Sequence, residues 1–227
     1  MKNLLVYLNP KKDFDDLYHR YAKIQIDNSL FYWKPEDIII TTNFPYQYHG
    51  IKSLVVPDNL ICDFDEKACK INAVIYLLEK GILTETTWYH DFEAFQISPI
   101  NVKLDRDLGL TDYGWKEKWN TGSFFFKPEA LDIFRCLRDE VCKYKANEEP
   151  ILWNLYRHDL NSIRSRCQKM NITYNLGKRN IDDNLAIADK PLSVVHFHPY
   201  QRKARLERFR ALMPESLTKL IYKNRYV

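Results

Sequence analysis

What this chain lacks narrows its reading first. No stretch of its 227 residues approaches the roughly 18 consecutive apolar residues of a membrane span. The opening "MKNLLVYLNP" carries too short an apolar run for a secretory signal, so a cytoplasmic location is expected. Its five cysteines, Cys62, Cys69, Cys136, Cys142 and Cys167, are odd in number and never fall as C-x-x-C. That spacing suggests neither a disulfide framework nor a zinc knuckle, and it predicts reduced, mostly buried thiols. There is no internal repeat, no low-complexity tract, and no zinc-finger or RNP-type motif.

What is present suits an ordinary globular chain, with 45% hydrophobic and 28% charged residues at a length that fits one domain. Aromatics reach 14%, mainly through 15 Tyr and 12 Phe, which serve flat-ligand or carbohydrate contact and core filling equally well. Charge is unevenly placed. From residue 201 onward, Arg202, Lys203, Arg205, Arg208, Arg210, Lys219, Lys223 and Arg225 face only Glu207 and Glu215, a balance of +6. The whole chain carries +4, so residues 1–200 sum to −2. A basic, helical tail at 201–227 on a slightly acidic body predicts an anionic partner for the tail: nucleotide phosphate, nucleic acid or a membrane surface.

Along the first 95 residues the pattern reads strand, helix, strand, strand, helix, strand. "LLVYLNP" is a buried strand stopped at Asn9-Pro10, and a helix follows from Asp13. "EDIIITTN" and "SLVVPD" are further strands. Ala68, Ile71, Val74, Ile75 and Leu78 recur at helical spacing up to Gly81, a C-cap position. "TTWYHDFEAF" then begins as a strand. This alternation predicts an α/β domain with a mostly parallel central sheet, whose ligands sit at the carboxyl ends of the strands. In the second half, a strand over 123–127 is entered through Asn120-Thr121-Gly122. Pro128 opens a helix to about Lys145, and another begins near Asn147-Glu148-Glu149-Pro150. "NITYNLG" and "LSVVHFHP" complete the strands.

Asp91 and Glu93, two apart in an extended segment, point to one side and can hold a hard divalent ion such as Mn²⁺ or Mg²⁺ against a diphosphate. His196 and His198 share one face of the last strand, where an imidazole can complete such a site, and Arg202 and Lys203 follow to neutralise phosphate. Three classes of function fit these features. One is a metal–diphosphate enzyme. A second is a metal-dependent phosphoesterase or nuclease built on His90, Asp91, Glu93, His196 and His198. The third is a non-catalytic nucleic-acid-binding module driven by the tail.

The order of these segments resembles the GT-A fold glycosyltransferases from about Lys2 to Arg210. "WYHDFEAF" resembles the D-x-D strand, "WNTGSFFFKPEALDIF" the N-[ST]-G segment with its helix, and "NEEPILWNLY" the D-Q or D-E helix start. "VVHFHPYQRKAR" resembles the late histidine motif of glycogenin-like members. Glu93 in place of the second Asp is a departure from the pattern, as are Pro199 and Tyr200 where a late glycine is usual. The resemblance implies a single catalytic domain over 1–200, with a nucleotide-binding half over 1–95 and an acceptor half over 96–200. It implies a nucleoside-diphosphate sugar donor, UDP-sugar favoured, and a divalent metal. Asp91 is implied to touch ribose or metal, Glu93 the metal, and His196 or His198 to supply a third ligand. Asn120, Thr121 and Gly122 would form a turn beside the sugar. Glu148 or Glu149 would contact sugar hydroxyls or serve in catalysis, with Asp112 a further candidate base. Asn9, Thr41 and Asn43, with Phe44, Tyr46 and Tyr48, would receive the base, while Lys67 or Lys70 can either reach phosphate or, the favoured reading, sit on a solvated helix face. The acceptor is a glycan, lipid-linked glycan, protein or modified nucleic acid.

Overall fold

The first strand sets the layering, because its apolar side chains alternate between two cores. Leu4 and Val6 pack into one, while Leu5 packs into the other. The computed structural model describes residues 1–114, 116–200 and 203–224, with Lys67 and residues 203–205 described through the backbone only.

The strands are β1 (Lys2–Tyr7), β2 (Ile38–Thr42), β3 (Gln47–Tyr48), β4 (Ile51–Lys52), β5 (Leu54–Val55) and β6 (Thr87–His90) in the first half. The second half adds β7 (Ala94–Gln96), β8 (Leu108–Asp112), β9 (Trp119–Phe126), β10 (Cys167–Lys169), β11 (Leu176–Gly177) and β12 (Val194–His196). The α-helices are α1 (Asp16–Ser29), α2 (Cys69–Glu79), α3 (Leu131–Tyr144), α4 (Glu148–Arg157), α5 (Ile163–Arg166), α6 (Ile181–Ile187), α7 (Lys203–Arg210) and α8 (Glu215–Lys223).

Seven strands form the main sheet in the order β10-β8-β9-β6-β1-β2-β5. Every neighbouring pair is parallel except the two made by β9, which runs against β6 and β8. This is the expected mostly parallel α/β sheet. Because β9 is reversed, its opening residues Trp119–Thr121 lie at the edge where β6 and β8 end. Helices α2, α3 and α4 cover one face through Ile71, Val74, Phe134, Leu137 and Leu152.

The other face is covered by α1, by a three-stranded sheet in the order β11-β12-β7, and by the last two helices. Asp15 caps α1 by accepting from the Tyr18 N–H at 2.8 Å. Along α1, Gln25 donates to the carbonyls of Phe92 (2.7 Å) and Ala94 (3.0 Å), and Asn28 donates to that of Gln96 (3.0 Å). These amides fasten the helix to β7 and to the turn before it.

Several sequence expectations change form. "TTWYHDFEAF" is not one strand: β6 ends at His90, a turn closes from Ala94 N–H to the Asp91 carbonyl at 3.0 Å, and β7 enters the second sheet. Asn120-Thr121-Gly122 is no turn, since all three lie inside the eight-residue β9. "SLVVPD" contributes only two strand residues, and "NITYNLG" is a 3₁₀ turn over Ile172–Tyr174 before the two-residue β11. The basic segment is helical where described, but it is no free arm. Leu206, Phe209, Met213, Leu217 and Ile221 are buried in the second core, with Phe209 stacked on Phe197 at 4.3 Å. Arginines at this end leave the core through the opposite helix face, so charge and burial alternate within the same turns. Of the cysteines, Cys62, Cys69 and Cys167 are buried, Cys142 is exposed, and all five are free thiols.

This packing yields a stability prediction. Leu217→Ala removes a fully buried side chain and should cost about 2–5 kcal/mol in urea unfolding. An unchanged midpoint would show that the last helices do not belong to the cooperative core.

Candidate functional site

Asp91 and Glu93 sit in the turn that carries the chain from the main sheet to the second one. The turn, rather than an extended strand, brings the two carboxylates together. Pairing in the second sheet then sets the third group: β12 runs against β7 with His196 opposite Ala94, the residue after Glu93. The Phe197 N–H donates to the Glu93 carbonyl at 3.0 Å and locks that register. One ligand atom each from Asp91, Glu93 and His196 lie within 4.8 Å of one another. His198 lies two residues beyond the strand, with Nε2 3.7 Å from a Glu93 oxygen and outside that cluster.

The imidazole is oriented by Asn175. His196 Nδ1 donates to Asn175 Oδ1 at 3.0 Å, and the Asn175 amide in turn donates to the Asn120 carbonyl at 3.4 Å. This leaves the lone pair on Nε2. Burial pushes the pKa of His196 down, against the pull of Asp91, so the neutral ring that ligates a metal is favoured. Two carboxylates and a neutral imidazole form a donor set that fits a divalent ion such as Mn²⁺ or Mg²⁺.

Gly122 makes room for this ring. A Cβ there would lie 2.1 Å from His196 Cε1, 2.7 Å from Nδ1 and 3.1 Å from Asp91 Oδ2. The missing side chain therefore admits the imidazole.

Behind the carboxylates lies a cation that the sequence reading put on a solvated helix face. Lys70, in the first turn of α2, is only 6% exposed. Its Nζ is 2.8 Å from Glu148 Oε1 and 3.6 Å from Asp91 Oδ1, and it donates to Thr121 Oγ1 (3.1 Å) and the Thr121 carbonyl (3.2 Å). Burial works against its charge, but Asp91 and Glu148 outweigh that and raise its pKa. Burial likewise opposes ionisation of Asp91, yet Lys70, His196 and the Tyr89 hydroxyl (2.7 Å) hold its carboxyl below the usual range. Glu148 is held low too, against burial, by Lys70 and Thr121. The signal that could have found Lys70 is its place on a buried stripe with Ala73, Val74 and Leu77.

The two glutamates opening α4 have different surroundings. Glu148 is 1% exposed, and its Oε2 is buried without a partner among the described residues. Glu149 accepts from the Tyr113 hydroxyl (2.8 Å) and the Thr121 N–H (3.1 Å), and pairs with Lys118 at 3.2 Å. Asp112 is engaged elsewhere, with Lys169 at 2.5 Å and the Gly114 N–H at 2.8 Å.

Two clefts meet at Asp91, Glu93 and Lys70, the three residues they share. The smaller, about 410 Å³, is lined by Asn120, Thr121, Glu148, Glu149, His196 and His198 among others. The larger, about 780 Å³, runs along the end of β1 past Tyr7, Asn9, Phe14 and Tyr18. Asn9 and Asn43 stand at that end but bind each other: Asn43 Oδ1 accepts from the Asn9 N–H at 2.8 Å, and its Nδ2 donates to the Asn9 carbonyl at 2.9 Å. Thr41 is fully buried in β2. Phe44 and Tyr46 pack on Phe14 at 5.0 and 4.9 Å, and Tyr48 stacks on His49. His90 is also internal, stacked on Trp88 at 3.9 Å and bonded through Nε2 to Asn3 at 2.7 Å. Burial pushes its pKa down to about 4. Arg202 lies outside the described residues, and so does the side chain of Lys203.

A mostly parallel sheet with one reversed strand, carboxylates on the turn after its central β6, and a second small sheet delivering a histidine define a GT-A glycosyltransferase fold. Solved structures bear this out. A glycosyltransferase involved in glycosylation of the major capsid of PBCV-1 superposes with a TM-score of 0.61 at 14% identity, over 93% of this chain and 100% of that one. The galactosyltransferase LgtC, in complex with donor and acceptor sugar analogs, superposes at 0.59 with 14% identity, over 97% of this chain and 100% of its own. The glycosyltransferase GlyE of Streptococcus pneumoniae TIGR4 gives 0.61 at 10% identity, over 98% of this chain and 63% of that one. No protein-family model matches the chain, and no curated protein matches it in sequence.

Two predictions follow from this geometry. Gly122→Ala should displace the His196 ring and cost about 1–3 kcal/mol in urea unfolding while the circular dichroism spectrum is retained. Lys70→Met should strand a buried carboxylate and cost about 3–5 kcal/mol at pH 7, part of which the added Glu148→Gln change restores. Glu148 has a depressed folded pKa, so its stabilising contribution is present above its unfolded value of about 4.3 and is lost as pH falls through the folded value. Denaturation across pH 3 to 7 should therefore show the gap between wild type and Lys70→Met closing on the acid side.

Proposed function

We propose that the chain is a divalent-metal-dependent glycosyltransferase that moves a sugar from a nucleoside-diphosphate donor, a UDP-sugar by preference, to an acceptor hydroxyl. The observation that carries this reading is the convergence of Asp91, Glu93 and His196 where the two clefts meet. The larger cleft has the aromatic wall and length for a nucleoside, and the smaller has the carboxylates for a sugar and its acceptor.

Asp91, Glu93 and His196 would hold the ion. When bound, it supplies positive charge to the diphosphate as the bond to the sugar breaks. Asp91 is kept ionised for this by Lys70 and Tyr89. Glu148 Oε1 is fixed by Lys70 and Thr121, which leaves the buried Oε2 to accept from a sugar hydroxyl entering the smaller cleft. Such a hydroxyl would satisfy an orphaned acceptor and orient the ring, a gain realised only with ligand in place. Glu149, braced by Tyr113 and Lys118, shapes the outer side of the same cleft. His90 is committed to Asn3 and the strand backbone, so the cluster here is two carboxylates and one imidazole rather than the larger set of a two-metal phosphoesterase.

The test is calorimetric titration of UDP and of GDP into the protein with and without Mn²⁺. Binding of one nucleotide, UDP by preference, should require Mn²⁺ and weaken by at least about tenfold in Asp91→Asn and Glu93→Gln. Folded wild-type protein that binds neither nucleotide would end this reading.

A further inference from the structure

Three tyrosines among the described residues line the larger cleft: Tyr7, Tyr18 and Tyr89. Two of their hydroxyls are committed within the fold. Tyr7 donates to Asp15 Oδ2 at 3.1 Å and accepts from the Asn9 amide at 3.2 Å, while Tyr89 donates to Asp91 Oδ1 at 2.7 Å. Tyr18 is different: its backbone N–H is bonded, but its hydroxyl has no partner among the described residues. Nor is that hydroxyl sealed into the core, as the one on Tyr21 is, one turn further along α1.

The ring that carries this hydroxyl is held from several sides. Asp15 accepts from the Tyr18 N–H through Oδ1 at 2.8 Å while its Oδ2 takes the Tyr7 hydroxyl, so one carboxylate ties the start of α1 to the end of β1. The Tyr18 ring packs on Tyr7 at 4.7 Å and meets Phe92 and Tyr21 edge to face, each at 5.9 Å. Phe92 is the residue between Asp91 and Glu93, and Gln25, two turns beyond Tyr18 on the same helix, bonds its carbonyl at 2.7 Å. The phenol therefore stands beside the carboxylate turn in a position that α1, β1 and the turn fix together. Burial, with the charges of Glu93 and Asp91 acting the same way, pushes its pKa up, so it keeps its proton and remains a hydrogen-bond donor. A donor fixed before the ligand arrives loses little freedom when it binds.

Resting on the glycosyltransferase reading above, we propose that Tyr18 binds the nucleotide, its hydroxyl donating a hydrogen bond to a ribose or phosphate oxygen of the nucleoside diphosphate. The three phenols of the cleft then divide the work: Tyr7 braces the wall, Tyr89 steadies Asp91, and Tyr18 meets the ligand. A neutral donor suits this place. A lysine or arginine among Asp15, Asp91 and Glu93 would pair with the protein's own carboxylates, whereas the phenol brings no charge to them and keeps its hydrogen bond for the ligand.

The experiment is calorimetric titration of wild type and Tyr18→Phe with UDP and with GDP in excess Mn²⁺, beside urea unfolding of both ligand-free proteins. The nucleotide that wild type takes up should bind the variant roughly fivefold or more weakly, while the unfolding midpoint stays at the wild-type value because no bond of the folded chain is removed. The 2′-deoxy form of that nucleotide separates the two acceptors: a loss that vanishes places the bond at the 2′-hydroxyl, and one that persists places it elsewhere on the nucleotide. Equal affinity in wild type and Tyr18→Phe overturns the inference. So does weaker binding accompanied by a lower unfolding midpoint, since the hydroxyl would then serve the fold. Wild-type protein that takes up neither nucleotide overturns the proposed function instead, and is seen before the variant is compared.

Discussion

The site depends on one change of sheet. Between His90 and Ala94 the chain leaves the seven-stranded sheet and joins the three-stranded one, and the turn that makes this passage carries Asp91 and Glu93. Both ends of the turn are held by backbone pairing. The Asp91 N–H donates to the Gly122 carbonyl on β9, and the Phe197 N–H, just past β12, donates to the Glu93 carbonyl. Gln25 on α1 clamps the middle through the Phe92 carbonyl. Carboxylates so placed are rigid without being at the centre of either sheet. A metal or diphosphate site needs that combination, since ligand groups must hold their positions and still face solvent.

Around this joint the electrostatics are arranged in layers. Lys70 lies beneath, almost wholly enclosed, and is joined by Glu148 and Asp91. A buried cation bound to two carboxylates is costly to assemble and costlier to break, so it fixes the distance between α2, the turn and the start of α4. The outer layer is Lys116, Lys118, Lys178 and Arg179 along the smaller cleft, on two loops joined by Asn184.

Much of this architecture was legible in sequence because it follows local periodicity. The α/β alternation, the helix beginning at Asn147, and the glycine that ends the second helix, Gly81 with φ of 65° just past the cap residue Lys80, are all written in short windows. The resemblance of Asn120-Thr121-Gly122 to an N-[ST]-G segment implies a turn beside the sugar for Gly122. Its real constraint is the His196 ring, 74 positions along the chain, which no local rule contains. Lys70 was read as solvated because lysines usually are, and only the stripe of Ala73, Val74 and Leu77 beside it argued otherwise. The basic end was read as a tail because its charge dominates its composition. Leu206, Phe209, Leu217 and Ile221 bury the opposite face of the same helices.

The sequence by itself determined the class of fold, the presence of two carboxylates two apart and of late histidines, and the acidic start of the helix that faces them, since each rests on residue chemistry at fixed short spacing. Tertiary structure alone decided which histidine joins the cluster, which glutamate keeps an unpaired oxygen, and that four cations from two loops share one cleft mouth. The physical reason is that strand register and helix packing act between segments distant along the chain. A shift of one residue in the pairing of β12 with β7 would turn His196 away from Asp91 and Glu93 and bring another side chain to them.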